Sequence, residues 1–184
     1  MRWEGLFADL EGQLAAEQRR ELDDEVAERT RRERALVTLG SRLAAGIGAR
    51  VGIGLVGGHR VEGVLGDLGQ DWVLVRVGGA DTHEVLVPLT GVLTLRSLGV
   101  QSAYERTARR FGLGYALRAL SRDRATVAIS LAGGGPRLLG TIDAVGADHL
   151  DLAEHADGVP RRRENVRAVT TVPFGAVVAV ESRR

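Results

Sequence analysis

The chain has 184 residues, of which 44% are hydrophobic and 27% charged, the balance of a folded globular protein and not of a disordered or fibrous one. Its 25 basic residues, all arginine, and 24 acidic residues leave a formal net charge of +1, which excludes a strong overall field that would attract nucleic acid. Because cysteine is absent, disulfides, thiolate metal sites and cysteine nucleophiles are excluded as well.

Residues 1–45 are predicted to form a long charged helix. Its first turns carry an apolar stripe at spacings of 4, 3 and 4, formed by Trp3, Phe7, Leu10 and Leu14. Further along charged residues dominate, and Glu28–Arg32 is an i,i+4 pair in the favourable order. Two interpretations remain open, because the stripe can pack on the protein's own body or bind a partner or a second copy of the chain.

The ends and apolar runs of the sequence bear on its location. No apolar run approaches the roughly 20 residues that cross a bilayer. The N-terminus has acidic residues close behind it and lacks the uninterrupted apolar stretch of a signal peptide. We therefore expect a cytoplasmic protein without a membrane partner.

An internal repeat is the strongest pattern in the sequence. An alternating apolar run begins at Val51 and again at Val127, an offset of 76 residues. The offset becomes 77 through the turn glycines that follow, and 85 at the Val-Pro pairs 87–88 and 172–173. Apolar positions, glycines and a proline keep their order, so residues 46–99 and 125–184 are predicted to be two copies of one module.

Each copy is predicted to contain five short strands, which in the first copy run through 51–55, to Gly69, 72–77, 84–87 and 92–95. Five strands in about fifty residues, joined mostly by tight turns, indicate a small closed or nearly closed barrel. The predicted fold class is therefore mainly β with α: a long N-terminal helix followed by two tandem small five-stranded β-barrels joined by a helix. The predicted domains are the charged helix (1–45), barrel one (46–99), a helical basic connector (100–124) and barrel two (125–184).

The barrels resemble Sm-like, SH3-type modules. The resemblance lies in the run Gly63, Leu65, Asp71, Val73, Val75 and in Val87-Pro88-Leu89. It implies binding to RNA or membership of an RNA-handling assembly. The Arg-Gly signature of the last Sm segment is absent from the sequence, so the uridine pocket of Sm proteins is not carried over.

Nearly the whole chain also resembles a family of actinobacterial proteins often labelled Fis-family transcriptional regulators. The matching motifs are residues 3–14 (Trp-Glu-Gly-Leu-Phe-Ala-Asp-Leu-Glu-Gly-Gln-Leu), 140–143 (Gly-Thr-Ile-Asp) and 148–153 (Asp-His-Leu-Asp-Leu-Ala). A regulator of that kind reads the major groove with a helix-turn-helix, whereas residues 176–180 are predicted to form a strand.

Two arginine groups are the candidate nucleic-acid site. Their members are Arg161, Arg162, Arg163 and Arg167 in an insertion of the second barrel, and Arg106, Arg109 and Arg110 in the connector. Guanidinium groups interleaved with aromatics, here Tyr104, Phe111 and Tyr115, can bind phosphates while bases stack. The alternatives are a solvated charged loop and a connector helix whose Phe111, Tyr115 and Leu120 enter the core, and for the connector the second is favoured. Trp72 is either a base-stacking surface residue or part of the core.

The sequence contains residue patterns that resemble motifs for dinucleotide binding and metal binding, but their surroundings do not fit these functions. Residues 52–57 spell G-x-G-x-x-G but lie in a predicted strand followed by a hairpin, and not between a strand and a helix. The acidic and histidine residues of 149–157 lie partly on a strand and partly beyond it, so convergence on a metal is not expected. No serine stands in a G-x-S-x-G elbow. We predict no enzymatic activity, cofactor or metal.

The sequence thus favours a non-enzymatic binding protein, with RNA as the leading partner through the two arginine groups. The alternative is a protein–protein interaction scaffold without nucleic acid, which uses the stripe of the N-terminal helix and the edges of the barrels to bind a protein or a further copy of itself. Transcriptional regulation is implied by the family label only.

Overall fold

The computed structural model describes residues 2–78, 82–103 and 110–183, without the side chains at 2–6, 8–10, 15, 16 and 183. The chain divides into two compact units, residues 1–38 and 39–184. The first unit contains the helix α1 (Arg2–Ala35), so a long N-terminal helix is confirmed, but it ends at Ala35 and not at the predicted residue 45. Arg32 contacts Glu28 at 3.3 Å and Arg29 contacts Glu33 at 3.5 Å, both in solvent. Since exposed pairs contribute at most about 1 kcal/mol each, α1 is held mainly by helix propensity.

Within the described residues, the second unit contains two α-helices and ten strands, in the order α2 (Leu39–Ala45), β1 (Arg50–Leu55), β2 (Arg60–Leu68), β3 (Trp72–Val77), β4 (His83–Pro88), β5 (Val92–Arg96), α3 (Leu113–Asp123), β6 (Thr126–Leu131), β7 (Leu138–Val145), β8 (His149–Glu154), β9 (Ala168–Pro173) and β10 (Val177–Arg183). In the described part of the chain, no helix combines the length and the apolar character needed to span a bilayer.

The ten strands form one open antiparallel sheet in the order β5-β1-β2-β3-β4-β10-β6-β7-β8-β9. The prediction of two separate five-stranded barrels is therefore wrong. Closure of the first five strands would require β4 to pair with β5, but β4 pairs with β10 of the other half, with Leu86 opposite Val180. Alternation in a sequence records which side chains are buried, and it does not specify which strand supplies the neighbouring backbone.

The two halves of the sheet nevertheless share one internal order, since β5-β1-β2-β3-β4 corresponds position by position to β10-β6-β7-β8-β9. The second strand of each half has a bulge at an equivalent place, between Leu65 and Asp67 and between Ile142 and Ala144. Gly63 and Gly140 are also equivalent. A Cβ at either would collide with a carbonyl of the next strand, so both repeats need glycine there.

Each half has a hydrophobic cluster, and each cluster contains residues of the other half. Trp72 of β3 and Leu86 of β4 belong to the second cluster, with Leu117 and Val180. Val178 of β10 belongs to the first cluster, with the core of the first half. The pairing of β4 with β10 therefore joins side-chain packing as well as backbone, and the two halves depend on each other.

Two hydrogen bonds fix the start of α3. One is accepted by Asp71 in the turn before β3, and the other is donated by Trp72, the first residue of β3. The Leu113 amide donates to Oδ1 of Asp71 at 2.7 Å, which satisfies one of the free N–H groups of the first helical turn. Nε1 of Trp72 donates to the Phe111 carbonyl at 3.0 Å. A residue of the first half thus orients the helix whose Leu117 is fully buried in the second cluster.

Leu86→Ala tests the dependence of the halves. Because Leu86 is 4% exposed and packs in the second cluster, we expect the free energy of unfolding to fall by about 2–5 kcal/mol. Urea unfolding followed by fluorescence and circular dichroism should still show one transition, since the halves share their cores. The control Val100→Ala, at a residue 87% exposed, should change the free energy by less than about 0.5 kcal/mol. Two separate transitions, with only the first half destabilised, would contradict a shared core.

Candidate functional site

The first arginine group, Arg161–Arg163 and Arg167, lies in the loop between β8 and β9 and is called the arginine loop below. One of its members, Arg161, forms an ion pair within the protein. Nε of Arg161 donates to Oδ1 of Asp143 at 2.8 Å, and its Nη2 donates to the second carboxylate oxygen. Asp143, by accepting these hydrogen bonds and through its charge, raises the pKa of Arg161 above its ordinary value. This bidentate pair fastens the loop to the end of β7. Arg161 is therefore a structural residue, and its charge is balanced before any ligand arrives.

The other predicted arginines are placed differently. Arg162, Arg163 and Arg167 are exposed, and no ion pair joins them to another residue in the described ranges. Arg110 is also exposed, whereas Arg106 and Arg109 lie outside the described residues. The structure thus leaves three guanidinium groups of the loop open to a phosphate.

The aromatic residues near the connector do not follow the favoured prediction. Phe111 and Tyr115 are 41% and 47% exposed and stack on each other, with ring centroids 4.3 Å apart. The expectation that both enter the core was wrong, because the buried face of α3 is formed by Leu113 and Leu117, with Leu120 partly buried as predicted. Trp72 is a core residue, 6% exposed, and is not available to stack on a base.

A groove of about 1520 Å³ runs between α3 and the strands β3, β4 and β10. Its floor is apolar and includes Trp72 and Leu86, and the Phe111–Tyr115 pair stands at its side. Its polar lining is mainly acidic, with one guanidinium, Arg76, and five carboxylates, those of Asp67, Glu84, Asp123, Asp157 and Glu181. Glu181 is paired with Arg137 at 2.6 Å. This lining disfavours phosphate, so the groove is poorly suited to RNA.

The histidines after β7 serve local structure. His155 is 3% exposed; its Nε2 lies 2.8 Å from the Thr141 hydroxyl and its Nδ1 lies 2.9 Å from the Ala156 carbonyl. His149 shares a hydrogen bond with Asp148, which lowers the pKa of that carboxyl. Within the described residues no group of three or more His, Asp or Glu side chains is placed to hold a metal.

The stripe of α1 is described only in part. Phe7 and Leu14 are more than half exposed, while the side chains of Trp3 and Leu10 lie outside the description. Two further apolar residues of α1, Leu22 and Val26, are also exposed. The sequence analysis did not identify them because charged residues dominate this segment.

In the part of the chain that the structure describes, the sheet ends at β5 on one side and at β9 on the other. β5 reads Val-Leu-Thr-Leu-Arg and β9 reads Ala-Val-Thr-Thr-Val-Pro. Exposed apolar side chains stand on both, since Leu93 is 65% exposed and Val169 is 60% exposed. Sequence reasoning named barrel edges in general but not these residues. The signal that could have found them is a strand pattern without the charges that usually guard an edge.

Comparison with protein-family models and with curated proteins gives no match to the chain.

Proposed function

We propose that the protein is a non-catalytic assembly module that binds polypeptide strands along the open edges of its sheet. The observation that carries the proposal is the pairing of β4 with β10, by which one repeat is joined to the other through strand addition. Among the strands of the described residues, β5 and β9 each pair with a neighbour on one side only. We further propose that this assembly occurs in the cytoplasm, where a protein without cysteine needs no oxidising compartment.

The physical reason lies in the backbone. Each edge strand presents a row of N–H and C=O groups, and an added strand pairs with them while side-chain pockets give specificity. Proteins that remain alone usually protect such edges with charges, bulges or proline. In β5 and β9 the one charged residue is Arg96 at the end of its strand, and the one proline is Pro173 at the end of the other. β5 also has a bulge at Leu93, but its counterpart β10 has the same bulge at Val178 and still pairs with β4. These features therefore support pairing at the edges.

The double variant Leu93→Glu/Val169→Glu tests the proposal. Both side chains are exposed in the isolated chain, so the fold should be retained, as circular dichroism and thermal unfolding would show. A strand added at either edge would bury a carboxylate beside apolar groups, which is strongly unfavourable. We expect native purification from the producing cells to yield the wild type with polypeptide bound in near-stoichiometric amount, its own chain included, and the variant with at least tenfold less.

The matched control is Val100→Glu, which adds a carboxylate at a residue 87% exposed outside the strands. It should retain the bound polypeptide. A wild type that carries no polypeptide, or an edge variant that carries as much as the control, would rule the edges out as binding surfaces.

A second candidate function, RNA binding by the arginine loop, is supported by the three exposed guanidinium groups of Arg162, Arg163 and Arg167. Their number allows about three phosphate contacts, which is few for specific binding but enough for a contribution that depends on salt. Arg161 is not included, because Asp143 already holds it.

The triple variant Arg162→Ala/Arg163→Ala/Arg167→Ala tests this candidate. For single-stranded RNA we expect the slope of log affinity against log salt to become shallower by about 2, since each phosphate contact contributes about 0.7. Fluorescence anisotropy over a salt series would measure it. The control Arg50→Ala/Arg60→Ala/Arg122→Ala removes three exposed arginines elsewhere and should leave the slope nearly unchanged. Equal slopes for wild type and loop variant would exclude the loop from RNA binding.

A further inference from the structure

We infer that the polypeptide bound at these edges is a second copy of the chain, with β9 of one copy paired to β5 of the next. The inference rests on the proposed function and identifies its partner. It follows from the duplication, because β9 is the counterpart of β4, and β5 is the counterpart of β10. The two strands left open in one chain are therefore equivalent to the two strands that already pair inside it.

The pairing of β4 with β10, called the internal junction below, gives the register of the proposed contact. In it, Leu86 lies opposite Val180, and Val85 lies opposite Glu181. The offset of 85 residues between the repeats moves these pairs to Thr171 opposite Leu95 and to Thr170 opposite Arg96. The offset is also structural, since Pro88 faces Trp72 and its counterpart Pro173 faces His149 in the corresponding strand pairs.

The residue that the internal junction buries is uncovered at the free edge. Val178 of β10 is 1% exposed and packs into the first half, while its counterpart Leu93 in β5 is 65% exposed. A Cβ placed on Gly91 would lie 3.5 Å from Cα of Val178, an ordinary contact distance. The counterpart of Gly91 is Ala176. A methyl group therefore fits where Leu93 of the next copy would lie.

The charges at the edges are complementary. Glu181 of the internal junction is replaced at the free edge by Arg96. In the proposed register Arg96 meets Thr170, whose hydroxyl donates to Oε1 of Glu154. A guanidinium of one copy would thus lie beside a carboxylate of the next, which favours this pairing over others.

The proposed contact is weaker than the internal one. Leu86 of the internal junction also faces Leu74 of the adjacent strand β3. The counterparts of these two leucines are Thr171 and Asp151, which are joined by a hydrogen bond of 2.6 Å. Less apolar surface would therefore be buried between copies than between the halves of one copy. We expect reversible assembly that depends on protein concentration. Because the contact is head-to-tail, it closes into a ring or continues as a filament.

Cysteine cross-linking tests the register directly, since the natural sequence has no cysteine. In the full chain, Arg96→Cys/Thr170→Cys places the two thiols on facing positions of neighbouring copies, within the Cβ separation that a disulfide spans. Mild oxidation should give a ladder of covalent multiples of 19.6 kDa on a denaturing gel. The control pair Arg96→Cys/Thr171→Cys is shifted by one residue and puts the thiols on opposite faces, so it should give at least tenfold less ladder.

Light scattering over a concentration series gives a second readout on protein without cysteine. The wild type should exceed 19.6 kDa as concentration rises, Leu93→Glu should need at least tenfold more protein for half-assembly, and Val100→Glu should match the wild type. A monomer at every concentration without a ladder, or equal ladders from both cysteine pairs, would overturn the inference. If self-assembly is excluded but a different polypeptide remains bound at the edges during native purification, the proposed function stands. If no polypeptide remains bound, both the proposed function and the self-pairing are refuted.

Discussion

The pairing of β4 with β10 is the interaction on which the structure of residues 39–184 depends. It places Leu86 opposite Val180, carries Val178 into the first hydrophobic cluster and brings Trp72 and Leu86 into the second. Because the backbone groups of β4 are used between the repeats, neither repeat closes on itself. The sheet remains open, and its two ends become surfaces on which a further strand can be added.

The duplication also explains why the two repeats differ where they do. Positions shared by both copies are those that every copy of the module needs, such as the strand-contact glycines Gly63 and Gly140. Leu86 at the internal junction and Leu74 on the strand beside it are apolar, whereas their counterparts at the free end of the second copy, Thr171 and Asp151, are polar and bond to each other. The contact between β4 and β10 is therefore mainly apolar, while the equivalent edge strands β9 and β5 keep the backbone geometry with a more polar surface. This asymmetry agrees with the proposed reversible assembly of a chain that folds alone.

Much of the local structure could be predicted from the sequence, because alternation and turn glycines report directly on burial and chain reversal. The strand Trp72–Val77 has the predicted ends, and a long N-terminal helix is present, although α1 ends at Ala35 and not at residue 45. Barrel closure could not be predicted, since the choice between β5 and β10 as partner of β4 depends on packing between distant segments.

The surroundings of the predicted site residues also depend on distant segments, so they could not be predicted from the sequence. Arg161 lies among adjacent arginines in the sequence, but Asp143, 18 residues away, holds it. Helical spacing placed Phe111 and Tyr115 in the core, where Leu113 and Leu117 lie instead.

The most direct measurement of the continuous sheet is a set of cross-strand backbone NOEs in isotopically labelled protein, recorded at a dilution where one copy predominates. The structure predicts NOEs between β4 and β10, centred on Leu86 and Val180, together with slow amide exchange along β4. NOEs from β4 to β5 in place of these, with the first repeat closed on itself, would contradict the open ten-stranded sheet and everything inferred from its edges.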